Sequence, residues 1–184
     1  MKVISCAGFG GQGILTAGIL LAHAGIHNKD TVTWYPSYGA EMRGGTANCV
    51  IKIDDTPIAS PYAKTYDILF AMNGPSVDKF KMNVKQGGKI FINTSMATPG
   101  SKTYPDSVDV FDVPADDLAQ QTNNPKGANL IMLGSMIKKT GLFEIELFER
   151  AMCQYFEKKG KGRFNQNNKK ALMAGYEVFN KLGE

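Results

Sequence analysis

The chain has 184 residues, 43% of them hydrophobic and 21% charged, a composition that argues against disorder and suffices for a sizeable core. Its formal net charge of +4 is too mild to point to nucleic acid, and only Arg43, Arg150 and Arg163 carry the guanidinium that base and phosphate contacts favour. No apolar run reaches the length of a membrane span, and the first residues lack the charged, apolar and small-residue order of a secretory signal. Neither nucleic acid nor membrane is therefore an expected partner, and the chain reads as a cytoplasmic protein.

Residues 2–7 (KVISCA) are a short apolar run that enters a glycine cluster, the pattern of a buried strand running into a turn. Residues 12–24 place Ile14, Leu15, Ile19, Leu20 and Leu21 on the broad apolar side of a helix, with Gly25 as its expected stop. Residues 31–35 (TVTWY) predict a second strand, 36–45 a glycine-rich loop, and 46–53 a third strand closed by the turn residues Asp54, Asp55 and Pro57. Residues 67–72 and 89–93 predict two more apolar strands, with a short helix over 77–82 between them and Gly87-Gly88 turning the chain into the second. Residues 108–113 alternate as a partly exposed strand does.

The last third is helical. Residues 116–121 predict a short helix, and residues 128–140 one that is apolar nearly all round, through Leu130, Ile131, Leu133, Met136 and Ile137. Residues 143–156 are amphipathic, 158–170 form a polar, basic connection, and 167–182 a final helix. Strands alternating with helices, then helices alone, predict an α/β fold. Its sheet is expected to be Rossmann-like, mainly parallel and flanked by helices, with a helical C-terminal part. The length suits one domain over residues 1–184.

Cys6, Cys49 and Cys153 lie far apart, and without a C-x-x-C pair they offer no iron–sulfur or zinc ligand set. The turn after the first strand, Gly8-Phe9-Gly10-Gly11-Gln12-Gly13, matches G-x-G-x-x-G with a strand before it and a helix after. In that pattern one glycine allows a sharp turn, one lets backbone approach a phosphate, and one lets helix and strand pack closely, while the free N–H groups of the helix start favour an anion. The pattern alone leaves two readings open, a phosphate site and a tight turn that binds nothing. A dinucleotide site also wants an acid at the end of the second strand, where this chain has Trp34-Tyr35-Pro36, and no Lys-Ser or Lys-Thr follows the glycines as a Walker loop requires.

The second unusual stretch is residues 36–48, PSYGAEMRGGTAN, which follows a strand and is expected at the same carboxyl edge as the glycine loop. Glu41 and Arg43 can pair with each other or bind a partner, and small neighbours leave Arg43 accessible to an anion.

These segments together resemble the gamma subunit of the 2-oxoacid:ferredoxin oxidoreductases. The resemblance runs in order through GFGGQGILTAGILLAHAG, VTWYPSYGAEMRGGTANC and DTPIASP (residues 55–61), the first third of the chain. The wording SYGAEMRGG is most similar to the 2-oxoglutarate branch, with branched-chain 2-oxoacid and pyruvate enzymes as the alternatives. The resemblance implies a subunit inactive alone, in a hetero-oligomeric complex that decarboxylates a 2-oxoacid oxidatively onto coenzyme A and reduces ferredoxin. It implies thiamine diphosphate and Mg²⁺ on alpha and beta partner subunits and iron–sulfur clusters on beta, on a ferredoxin-like delta subunit or on fused chains. This chain itself is then expected to hold no cofactor and no metal. Beside it stands the hypothesis that Gly8, Gly10, Gly11 and Gly13, with Arg43, hold the phosphates of coenzyme A. A regulatory nucleotide-binding module and a free NAD-dependent dehydrogenase are the readings from other classes.

Other residues carry weaker chemistry. His23 and His27 have helical metal-ligand spacing but no third ligand, and Cys153 has no nearby histidine to activate it. Lys158, Lys159, Lys161, Arg163, Lys169 and Lys170 suit either an acidic partner such as ferredoxin or a solvated connection. Asp54-Asp55 and Asp116-Asp117 read as turn and helix-start residues, and Met132 and Met136 as packing.

Overall fold

The computed structural model describes residues 1–37, 46–96, 99–100 and 103–181. Six strands form one sheet: β1 (Lys2–Phe9), β2 (Thr31–Ser37), β3 (Thr46–Asp54), β4 (Tyr66–Ala71), β5 (Val84–Asn93) and β6 (Asp109–Val113), in the order β2-β3-β1-β4-β5-β6. The run β1-β4-β5-β6 is parallel throughout, as expected, whereas β3 is antiparallel to both of its neighbours. The sheet is therefore mixed. Residues 38–45 are too few for the crossover that a parallel β2–β3 pair would need, so the chain turns back on itself.

The helices are α1 (Ile14–His27), α2 (Gly74–Phe80), α3 (Ala115–Gln121), α4 (Ala128–Thr140), α5 (Ile145–Lys158), α6 (Asn165–Tyr176) and α7 (Val178–Lys181). Strand periodicity decides what each face of the sheet meets. Ile4 and Cys6 of β1, with Ile68, Phe70 and Phe91, share one core with α1, α4, α5 and α6. Ala7, Leu69, Ala71, Ile90 and Ile92 point to the other face, covered by Val77 and Phe80 of α2 and by Tyr104. One face thus carries most of the helical mass.

Helix α4 is buried without interruption from Ala128 to Ile137, which accounts for its apolar circumference. It lies against α6 at a crossing of two glycines. A Cβ at Gly134 would overlap the carbonyl oxygen of Leu172, and one at Gly175 would overlap that of Ile131, so backbone meets backbone there.

Several boundaries differ from those the pattern predicts. Gly25 does not stop α1, which continues to His27; a Cβ at Gly25 would stand 2.6 Å from Val32 Cγ2, so its smallness serves close packing on β2. The helix begins at Ile14 and not at residue 12, because Gly13 has φ +76°. The helix expected over 77–82 begins earlier, at Gly74, where the side chain of Asn73 accepts from Ser76 N–H, and gives way to a 3₁₀ turn at Lys81–Asn83. Gly87 and Gly88 lie inside β5, where Gly87 (φ +71°) sits in an irregularity of the β4–β5 register; they do not form a separate turn. The amphipathic helix expected over 143–156 is set two residues later. The basic connection expected over 158–170 shrinks to a short linker with a 3₁₀ turn at Gly162–Phe164, and the final helix divides at Glu177 into α6 and α7.

Candidate functional site

The glycine loop occupies the carboxyl edge of the parallel strands, where open α/β sheets bind their ligands. Its four glycines are not equivalent. Gly8 is still in β1, paired with Ala47, and a Cβ there would come 2.5 Å from Ile14 Cδ1, so it lets strand and helix close on each other. Gly13 takes a left-handed conformation (φ +76°), and a Cβ there would come 2.5 Å from Nδ2 of Asn129, which donates to the Gly13 carbonyl at 3.2 Å. Gly10 and Gly11 are exposed, and a Cβ on either would meet nothing within 4 Å. Backbone is therefore presented to solvent at those two positions. The first helical N–H groups have no intrahelical acceptor, and no side chain caps α1.

A network of amides fixes the loop from below. Gln12 Oε1 accepts from Phe9 N–H (2.7 Å) and from Asn73 Nδ2 (2.8 Å), while Gln12 Nε2 donates to the Met72 carbonyl (3.2 Å). Asn73 also caps α2 by accepting from Ser76 N–H at 2.9 Å. One strand over, Asn93 Nδ2 donates to Asp116 Oδ2 at 2.5 Å, and its Oδ1 accepts from the N–H groups of Ser95 and Ala115 at 3.2 and 3.1 Å. Asn73 and Asn93 are fully buried, so each bond replaces lost hydration; Asn73 ties the loop to the segment after β4, and Asn93 reaches the same Met72 carbonyl as Gln12, at 3.5 Å, from the end of β5.

Above this network lies a cleft of about 360 Å³, lined by Gly11, Gln12 and Gly13 of the loop, by Lys126, Ala128 and Asn129 around the amino end of α4, and by Met72, Met96 and Asp116. The amino ends of α1 and α4 both face it. Helix amino termini and an ammonium favour an anion, so the cleft has the chemistry of a phosphate site. A second cavity, about 460 Å³, lies at the opposite edge of the sheet, where the chain's amino terminus pairs with Asp54 at 3.3 Å and Lys85 with Asp67 at 2.8 Å.

Arg43 and Glu41 lie outside the described residues; of the strands that flank them, β3 starts beside the glycine loop, with Thr46 opposite Phe9, and β2 ends one strand further out. His23 is half-buried against the ring of Tyr155 (5.2 Å between centroids), and burial, Lys158, His27 and Lys159 hold its pKa below the usual histidine value. His27 is exposed, and no group of three or more His, Cys, Asp or Glu that could hold a metal ion occurs among the described residues. Cys6 and Cys49 sit opposite each other on β1 and β3, fully buried, and burial pushes the Cys6 thiol well up. In the basic segment Lys169 pairs with Glu149 at 2.8 Å and Arg163 covers the Phe164 ring at 4.8 Å.

Sequence reasoning missed Asn73, Asn93, Lys126 and Asn129, and it took Asp116 only for a helix-start residue. A faint signal was present: each of the apolar runs ending at Met72 and Ile92 is followed directly by Asn.

A glycine-rich β1–α1 turn over an anion-favouring cleft, at the carboxyl edge of a largely parallel sheet, defines a Rossmann-like α/β unit. Comparison with known proteins narrows this. Residues 3–178 match the family of pyruvate ferredoxin/flavodoxin oxidoreductases, and the chain belongs to that family. It is 38% identical over 174 residues to ketoisovalerate oxidoreductase subunit VorA of Methanothermobacter marburgensis, covering 94% of this chain but only 35% of VorA, so the chain spans about a third of that relative's length. With 2-oxoglutarate synthase subunit KorC of Methanocaldococcus jannaschii it shares 32% identity over 184 residues, 98% of this chain and 95% of KorC. The solved gamma subunit of a keto/oxoacid ferredoxin oxidoreductase from Geobacter sulfurreducens superposes with a TM-score of 0.79 at 26% identity, over 96% of this chain and 97% of the other.

Proposed function

We propose that the chain is the gamma subunit of a multi-subunit 2-oxoacid:ferredoxin oxidoreductase, inactive alone, and that its glycine loop binds the phosphates of coenzyme A. In that complex thiamine diphosphate, Mg²⁺ and the iron–sulfur clusters belong to alpha, beta and delta-type partners, and ferredoxin takes the electrons. The observation that carries the subunit reading is its end-to-end correspondence with KorC and with the Geobacter gamma subunit, each of which it covers almost completely. The correspondence with KorC favours 2-oxoglutarate as the oxidised acid. The 38% identity to VorA favours a second reading, a branched-chain 2-oxoacid.

The cleft fits the phosphate end of coenzyme A. The exposed backbone of Gly10 and Gly11 has no side chain to hold a ligand off, Gly13 turns the chain so that the α1 amino end faces the cleft, and Lys126 adds a positive charge to its lining. Gly8 serves the packing beneath. Arg43, in the segment between β2 and β3, is the expected further cation. The chain's part in the reaction is to bind and orient coenzyme A; the oxidation itself is the work of the partner cofactors.

Anaerobic capture of the chain from its native host, with partners read by mass, tests the subunit reading: thiamine- and cluster-bearing subunits are expected, and recovery of the chain alone refutes it. Within the complex, Gly10→Val projects a side chain into open space. Loss of a charge-assisted contact to a phosphate predicts a rise in the coenzyme A KM of about tenfold or more with thiamine content intact. An unchanged KM refutes the phosphate assignment.

A further inference from the structure

The cleft is polarised. The amino ends of α1 and α4 and the Lys126 ammonium make one side of it electropositive, while Asp116 supplies a carboxylate to the same space. No ion pair joins Asp116 to Lys126 among the described residues. The carboxylate is held from behind by fully buried Asn93, which donates to Oδ2 at 2.5 Å. An ionised carboxylate has about four acceptor positions, and Asn93 takes one. Asp116 repels a phosphate, so a ligand whose phosphates rest on Gly10 and Gly11 must turn a hydrogen-bond donor toward it. Coenzyme A has two hydroxyls near its diphosphate, one on the ribose and one on the pantoyl unit.

The topology explains why such an acid would come from this position. In dinucleotide folds the acid that takes ribose hydroxyls stands at the end of the second strand. Here β3 separates β2 from β1, so the end of β2 is two strands away from the glycine loop. Asp116 approaches from the opposite side, in the first turn of the helix after β6, and Asn93 at the end of β5 carries it toward the loop.

We infer that Asp116 orients the ligand in this cleft, its carboxylate accepting a hydrogen bond from a hydroxyl next to the diphosphate of the molecule held by the glycine loop. The inference rests on the coenzyme A reading above. Its test uses the assembled complex and two ligand pairs: 3′-phospho-ADP, which has the ribose of coenzyme A, against its 2′-deoxy analogue as competitors of coenzyme A, and coenzyme A against its analogue lacking the pantoyl hydroxyl. Wild type is expected to prefer the hydroxyl-bearing member of one pair about tenfold, the worth of one hydrogen bond to a charged group, and the pair that shows it identifies the hydroxyl. Asp116→Asn, which keeps an oxygen for Asn93, is expected to reduce that preference below about twofold. Absence of a preference in wild type overturns the inference without recourse to any variant. So does a preference that survives in D116N, or a coenzyme A KM that falls in D116N because only repulsion was relieved. Gly10→Val separates the two levels. An unchanged KM there defeats the coenzyme A reading, whereas a raised KM beside a surviving preference in D116N defeats the role of Asp116 alone.

Discussion

Replacing Gly13 with alanine sets two penalties at one residue. The backbone at φ +76° costs an L-residue about 1 kcal/mol relative to glycine. The new methyl would stand 2.5 Å from Asn129 Nδ2 and 3.0 Å from its Cγ, so the amide must swing away and give up its bond to the Gly13 carbonyl, a further loss of about 1 kcal/mol. The expected cost is about 2 kcal/mol, or a fall in melting temperature of roughly 4–8 °C for a chain of this size. Asn129→Ala alone loses only the hydrogen bond, about 1 kcal/mol. In the double variant the clash is gone, since the Asn129 Cβ is already 3.5 Å from the added methyl. Its cost should stay near 2 kcal/mol and not reach the additive value of about 3 kcal/mol. Denaturant unfolding of the four proteins measures the cycle. Strict additivity, or a Gly13→Ala cost below about 0.5 kcal/mol, would refute the claim that this glycine joins the α1 and α4 amino ends.

Gly134→Ala forces a methyl against the Leu172 carbonyl, which a helix cannot move aside as a side chain can; a loss of about 2–3 kcal/mol is expected in thermal or denaturant melts, far more than for alanine at exposed Gly10. Alkylation with iodoacetamide at pH 8 should label the half-buried Cys153 first and reach Cys6 and Cys49 only on unfolding. Both are fully buried, and burial also keeps the Cys6 thiol protonated; peptide mass mapping reads the order, and early labelling of Cys6 would contradict the packing of β1 on α1.

Much of the fold is legible because its signals are local. Each of the six strands follows a short run of β-branched or aromatic residues, and α4 has the bounds that its apolar run predicts. The glycine loop is equally local: strand, glycines and helix follow one another without a break over residues 2–27. Boundaries misread from sequence share a physical cause. Gly25, Gly87 and Gly88 look like punctuation, but Gly25 is small because β2 lies against it, and the other two accommodate a fault in the β4–β5 register; neither neighbour is visible along the chain.

The sequence by itself determined that this is an α/β chain with a glycine-rich G-x-G-x-x-G turn after its first strand, and it carried the family likeness, because these are written in contiguous residues. Only the tertiary structure decided that β3 enters the sheet antiparallel between β2 and β1, which keeps the end of β2 away from the loop, that Asn73 and Asn129 bond to residues 12 and 13, and that Asp116, held by Asn93, lines the cleft beside them. Those partners are separated from the loop by 60 or more residues, and in one hydrogen bond by 116. Their meeting is imposed by the pairing of parallel strands, which gathers the carboxyl ends of β1, β4, β5 and β6 on one edge whatever lies between them in the chain.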